Sequence, residues 1–149
     1  MAGIYLHIPF CKQACHYCNF HFTTSLRYRK EMVAALVQEI NLQKHYLADE
    51  PVHTVYFGGG TPSLLDVEEI EILLQTIHTF YAVDAAAEIT LEANPDDVIP
   101  EKLNAWKQIG INRLSIGIQS FFEEELTWMN RAHTNGQAHQ CIEWSLAAG

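Results

Sequence analysis

Cys11, Cys15 and Cys18 follow one another in the spacing C-x3-C-x2-C. Three thiolates so close in sequence can wrap one compact inorganic centre. A four-iron cluster normally takes four cysteines. With three in reach, one iron is left for a ligand that is not protein. An open coordination position marks a working metal site rather than a structural one, as the contrast between catalytic and structural zinc shows. Two other uses of the trio compete. A disulfide would leave one thiol over, and nothing in the sequence suggests secretion. Zinc accepts mixed cysteine and histidine sets, and His7, His16 and His21 flank the loop, so zinc stays open on these residues alone.

Elements must exist to hold such a loop. The chain has 149 residues, enough for one domain with a real core, and reads as a single domain over 1–149. A net charge of −9 argues against a phosphate-binding surface, so no nucleic-acid partner is expected. No apolar run is long enough for a transmembrane segment. Met1 leads straight into strand-like sequence with no visible signal or transit peptide, which makes the expected location cytoplasmic, where thiolates stay reduced.

Residues 4–9 read as a buried parallel strand, apolar at Ile4, Leu6 and Ile8, with Tyr5 and His7 on the other face. Past the cysteines, Thr23-Thr24-Ser25 leads into a helix of about 20 residues, striped by Met32, Val33, Leu36, Val37 and Ile40. A second strand, Val52–Phe57, ends in Gly58-Gly59-Gly60-Thr61-Pro62. Asp66 and Glu69 predict a capping box, with Ile70, Leu73, Leu74 and Ile77 at helical spacing behind it. Glu88–Ala93 reads as a third strand, Pro100 and Gly110 bracket a third helix, and Leu114–Ile118 reads as a fourth strand. A last helical region holds Leu126, Met129, Ala138, Cys141, Ile142 and Leu146. Four βα units in succession predict an α/β fold with a parallel sheet and right-handed crossovers. Because Gly149 falls where a fifth strand should follow, the sequence is expected to be the N-terminal part of a larger barrel-like domain.

In parallel α/β folds ligands gather at the C-terminal ends of the strands, and the unusual residues sit there in every unit. Gly59, Gly60 and Thr61 offer close backbone approach and free main-chain groups, although a Gly-rich turn also serves as a tight strand exit. Glu92 follows an apolar run, where a carboxylate is costly unless paired. A ribose suits it, as does bridging to a neighbouring loop. The Gln119 amide can donate and accept, and Arg131 can pair with a ligand carboxylate or form a surface ion pair. Cys141, on a helical face with Ala138 and Ile142, reads as a buried core thiol.

Taken together, His7-Ile8-Pro9-Phe10-Cys11, Tyr17-Cys18, Tyr56 to Pro62, Glu92-Ala93-Asn94-Pro95 and Ser115 to Phe121 resemble one branch of the radical S-adenosylmethionine (SAM) superfamily. That branch holds the oxygen-independent coproporphyrinogen III dehydrogenases and the HemW-type heme chaperones. The resemblance implies a partial (β/α)6 TIM-like barrel whose radical SAM core begins with these residues. It implies a 4Fe–4S cluster on Cys11, Cys15 and Cys18, and SAM bound through its amino and carboxylate groups to the fourth iron. An electron from the cluster then cleaves SAM to a 5′-deoxyadenosyl radical. By the same resemblance Tyr5, Tyr17, Gly59, Gly60, Thr61, Glu92, Gln119 and Arg131 fall at SAM-contacting positions, while Tyr5 and Tyr17 equally suit core aromatics. The dehydrogenases carry a fourth cysteine two residues after the third. Phe20 stands there, as in the chaperone subgroup, and puts decarboxylating chemistry in doubt. Chaperone kinship implies heme or porphyrin as cargo and heme-accepting respiratory proteins as partners, with His7, His16, His21, His133 and His139 as the histidines available to ligate iron.

Overall fold

Alternation of side chains along the strands sorts the sheet into two unlike faces. The computed structural model describes residues 2–149. Its elements are β1 (Ala2–Ile8), α1 (Arg29–Leu42), β2 (Val52–Gly59), α2 (Val67–Phe80), β3 (Val83–Ala93), α3 (Pro100–Gln108), β4 (Arg113–Ile116), α4 (Glu123–Trp128) and α5 (Asn135–Ala148), with short 3-10 turns at Pro62–Leu64 and Pro95–Asp97. The strands are parallel and adjacent in chain order, β1-β2-β3-β4, so α1, α2 and α3 are the crossovers between them and α4 and α5 follow the last strand.

Leu6, Phe57, Leu91 and Leu114 are in register across the four strands. Phe57 and Leu91 are completely buried; sequestering each is worth roughly 1.5–3 kcal/mol. Ile70, Leu73, Leu74 and Ile77 of α2 join the same core, as do Val33 and Ile40 of α1. The neighbouring row, Tyr5, Tyr56, Thr90 and Arg113, lies on the other face. There β1 is only half covered, with Tyr5 58% exposed, whereas the sequence read β1 as a buried strand.

Caps stop and start the chain at the strand ends. Glu69 accepts from the Asp66 N–H at 2.9 Å, the capping box expected at α2, and Pro100 opens α3. Gly110 follows α3 at φ +104. Three boundaries differ from expectation. Helix α1 is 14 residues long, shorter than about 20, because past Leu42 the bonding passes to three-residue turns (Lys44 N–H to Asn41, Tyr46 N–H to Gln43) that end at left-handed Ala48 and Asp49. Strand β3 begins at Val83, which pairs with Val52. Strand β4 stops at Ile116, since the Ile118 N–H folds back to the Ile116 carbonyl and Gln119 takes φ +66. The last helical region is two helices, with Arg131 in the loop between them. Leu126, Ala138 and Cys141 are buried, but Leu146 is 78% exposed, beside a cavity of about 450 Å³ along β4 that Trp106, Ile111 and Leu114 also line.

Candidate functional site

Backbone pairing closes the cysteine loop before any metal is considered. The Thr23 N–H donates to the Pro9 carbonyl at 2.8 Å, and the Cys11 N–H to the Thr23 carbonyl at 3.0 Å. Phe10 is buried beneath them. On one side Lys12 donates to Asp96 at 2.6 Å and to Asp97, whose other oxygen accepts from the Ser63 hydroxyl at 2.8 Å. These bonds tie the loop to the ends of β2 and β3. On the other side the His16 N–H reaches the Met129 carbonyl at 3.1 Å, His16 Nδ1–H the Trp128 carbonyl at 2.7 Å, and Asn130 Nδ2 the Ala14 carbonyl at 2.9 Å.

The glycines after β2 back this loop at very short range. The Gly60 N–H donates to the Ile8 carbonyl at 2.8 Å and the Thr61 N–H to the Phe10 carbonyl at 2.6 Å. A Cβ on Gly60 would lie 2.6 Å from the Phe10 oxygen and 3.0 Å from Cys11 Sγ. Gly59 has φ +115 and would strike the His7 ring. Both positions need glycine. Burial pushes the Cys11 thiol above its ordinary pKa; the Thr61 hydroxyl and the Arg131 charge work against that shift, and the Cys18 and Cys15 sulfurs add to it.

A cleft of about 260 Å³ opens where the loop meets the strand ends. Cys11, Cys15, Cys18, Tyr17, Gly59, Gly60, Thr61, Glu92, Gln119 and Arg131 all line it. Tyr5 does not. Its ring stacks near Tyr56, with centroids 5.9 Å apart, over the backbone of Gly58. Phe20 stands at the lip, 71% exposed.

Glu92 bridges two elements: one oxygen accepts from the Tyr56 hydroxyl at 2.7 Å, the other from the Gly59 N–H at 3.1 Å. A carboxylate has about four acceptor positions, so both oxygens keep capacity for ligand hydroxyls. Among the described residues Arg131 forms no surface ion pair. Its Nη1 donates to Cys15 Sγ at 3.4 Å and to the Tyr17 hydroxyl at 3.1 Å, and its Nη2 to Asn94 Oδ1 at 2.9 Å and the Gly117 carbonyl at 2.6 Å. Its Nε is buried without a protein partner. Next to Gln119 in the chain, the Ile118 carbonyl accepts from Nε2–H of the buried His133 at 3.0 Å. Burial, and then the Arg131 cation, hold His133 below the usual imidazole pKa.

Tyr56, Asn94 and Gly117 carry this geometry without having been singled out as site residues, and His133, expected only as a histidine available to ligate iron, carries it through the Ile118 carbonyl. Tyr56 and Asn94 flank the motifs at the ends of β2 and β3, but their partners are separated from them by 36 and 37 residues. Cys141 is fully buried in α5, with Sγ 3.1 Å from the Ala138 carbonyl, and lines no part of the cleft. His139 lies against the Phe121 ring at 4.8 Å, and His7 beside the Tyr5 hydroxyl at 3.3 Å; His21 is exposed.

The donors suit a polynuclear centre. All three cysteines line one cleft, and three thiolates there can wrap a four-iron cluster that leaves one iron open to a further ligand. Gly59, Gly60 and the spare acceptor positions of Glu92 line the same cleft, where a further polar ligand can meet them.

The sequence profile of the Radical SAM superfamily matches residues 5–149. The chain is 36% identical over 149 residues to the heme chaperone HemW of Escherichia coli K12, covering 99% of this chain and 39% of that protein. It is likewise 36% identical over 151 residues to heme chaperone HemW of Bacillus subtilis, covering 100% and 40%. It thus spans about two-fifths of the length of these relatives. Among solved structures, coproporphyrinogen III oxidase (HemN) from Escherichia coli, described as a radical SAM enzyme, superposes with a TM-score of 0.90 at 29% identity, over 99% of this chain and 34% of that one. Elp3 of the archaeon Methanocaldococcus infernus, at TM-score 0.58 and 15% identity, shares the fold alone.

Proposed function

The chain belongs to the Radical SAM superfamily, and from that premise we propose that it is the radical SAM core of a HemW-type heme chaperone. Cys11, Cys15 and Cys18 hold a 4Fe–4S cluster, and SAM occupies the rest of the cleft. One observation carries this reading: a single cleft gathers the cysteine trio, on the loop after β1, with residues from the ends of β2, β3 and β4. When bound, the reduced cluster supplies an electron to SAM. The chain's own residues bind and orient. Gly59, Gly60 and Thr61 present backbone to the ligand's amino end, Glu92 accepts from its ribose, Gln119 closes one side, and Arg131 supplies a positive charge beside its carboxylate. Tyr17 lies over the loop through its bond to Arg131. Tyr5 acts at one remove, stacking on Tyr56, the partner of Glu92.

Phe20 at the lip favours the chaperone over the oxidase, because phenylalanine neither ligates a metal nor transfers a proton. Heme is then cargo, and respiratory heme proteins receive it. Among the described residues no helix is long and apolar enough to cross a membrane, and the net charge of −9 disfavours nucleic acid as a partner. The close superposition on HemN supports the second reading, a coproporphyrinogen III oxidase. Anaerobic full-length protein given SAM, a reductant and coproporphyrinogen III separates the two: the chaperone reading expects heme binding without turnover. Protoporphyrinogen formation would overturn it.

A further inference from the structure

Arg131 is connected differently from a residue kept free for a ligand. Each terminal guanidinium nitrogen carries two N–H groups, and the four are taken by Cys15 Sγ, the Tyr17 hydroxyl, Asn94 Oδ1 and the Gly117 carbonyl. The fork therefore reaches Cys15 and Tyr17 of the cysteine loop, the end of β3 and the end of β4 at once. At β4 the bond is to the main chain itself, since Nη2 donates to the Gly117 carbonyl at 2.6 Å. Nε–H alone remains, too little for the two-pronged carboxylate grip in which arginine is usually employed.

We infer that Arg131 is a positioning residue that sets the reduction potential of the metal centre, clamping the Cys15–Tyr17 segment and donating one N–H to a ligating sulfur. This rests on the cluster assignment above. Hydrogen bonds to cluster sulfurs and nearby charge are established levers on potential. One-electron reduction adds a negative charge to the cluster. A guanidinium that cannot lose its proton, 3.4 Å from Cys15 Sγ, stabilises that reduced state and raises the potential. No bond forms or breaks, no proton moves, and the electron comes from the external reductant.

The test is a dithionite titration of anaerobically reconstituted full-length protein, followed by electron paramagnetic resonance without SAM, so that altered SAM binding cannot contribute. Arg131→Gln removes the charge; Arg131→Lys keeps it while losing the fork. The Gln variant is expected to need a potential more negative by about 59 mV, a tenfold change in the reduced-to-oxidised ratio for one electron, with Lys in between. Iron and sulfide per chain show whether each variant holds its cluster. If Arg131→Gln does not, Arg131→Lys decides by the same comparison. A variant with a full cluster and the wild-type midpoint overturns the inference. A wild type that takes up no cluster overturns the functional reading instead, before any variant is made.

Discussion

Gly60→Ala perturbs the site through backbone alone. The added Cβ would meet the Phe10 oxygen at 2.6 Å and its carbonyl carbon at 3.0 Å, neither of which can swing aside as a side chain would. Restoring ordinary contact near 3.4 Å requires the chain at Phe10 to retreat by about 0.8 Å. The Phe10 carbonyl also accepts from the Thr61 N–H, and its neighbour is Cys11, so the same movement loosens that bond and displaces a ligand. Overpacking costs about 1–3 kcal/mol, and the weakened hydrogen bond adds about 0.5–1.5 kcal/mol. Gly136→Ala is the matched control. Its Cβ would find only the Thr134 hydroxyl, at 3.8 Å, and the substitution should be neutral or stabilise by about 0.4–1 kcal/mol. Urea unfolding, with iron and sulfide analysis of reconstituted full-length protein, reads both effects. Gly60→Ala should lose stability and cluster together while Gly136→Ala loses neither. A Gly60→Ala protein with a wild-type midpoint and full iron would refute the close-approach argument.

Two further outcomes are expected. The pKa of His133 is lowered by burial and by Arg131, with the Ile118 carbonyl, Asp96 and Glu123 opposing, so protonation favours the unfolded chain. That contribution is intact above about pH 6.5, the unfolded value, and is lost as pH falls towards the lower folded pKa. His133→Gln should flatten the loss of urea stability between about pH 7 and 5; an unchanged slope would place the acid sensitivity elsewhere. Lys12→Met should cost on the order of 1–3 kcal/mol, more than an exposed pair and less than a fully buried one. It leaves nearly buried Asp97 with the Ser63 hydroxyl and with Lys102 at 3.9 Å. A change below about 0.5 kcal/mol would mean that the loop is not held from that side.

The four βα units were legible because each strand is an apolar run and two of the helices begin at recognisable caps. Thr134 and Gln137 form a capping box on α5, so that helix start too stands in the sequence pattern. Strand β3 starts early through Asp84-Ala85-Ala86, residues poor in strand preference that pairing of Val83 with Val52 carries along. The end of β4 was hidden because a left-handed Gln119 breaks the usual rule for non-glycine residues. Local spacing located the cysteines and the strand-end residues, but not their bonds. Arg131 meets Cys15 across 116 residues, and Tyr56 meets Glu92 through a strand register that sequence alone does not fix.

Electron paramagnetic resonance of the anaerobically reconstituted, reduced full-length protein, with and without SAM, bears most directly on the assignment of the cleft. A reduced 4Fe–4S signal that changes when SAM is added is expected, together with iron and sulfide near four of each per chain. Zinc in place of iron, or a cluster signal indifferent to SAM, would contradict it.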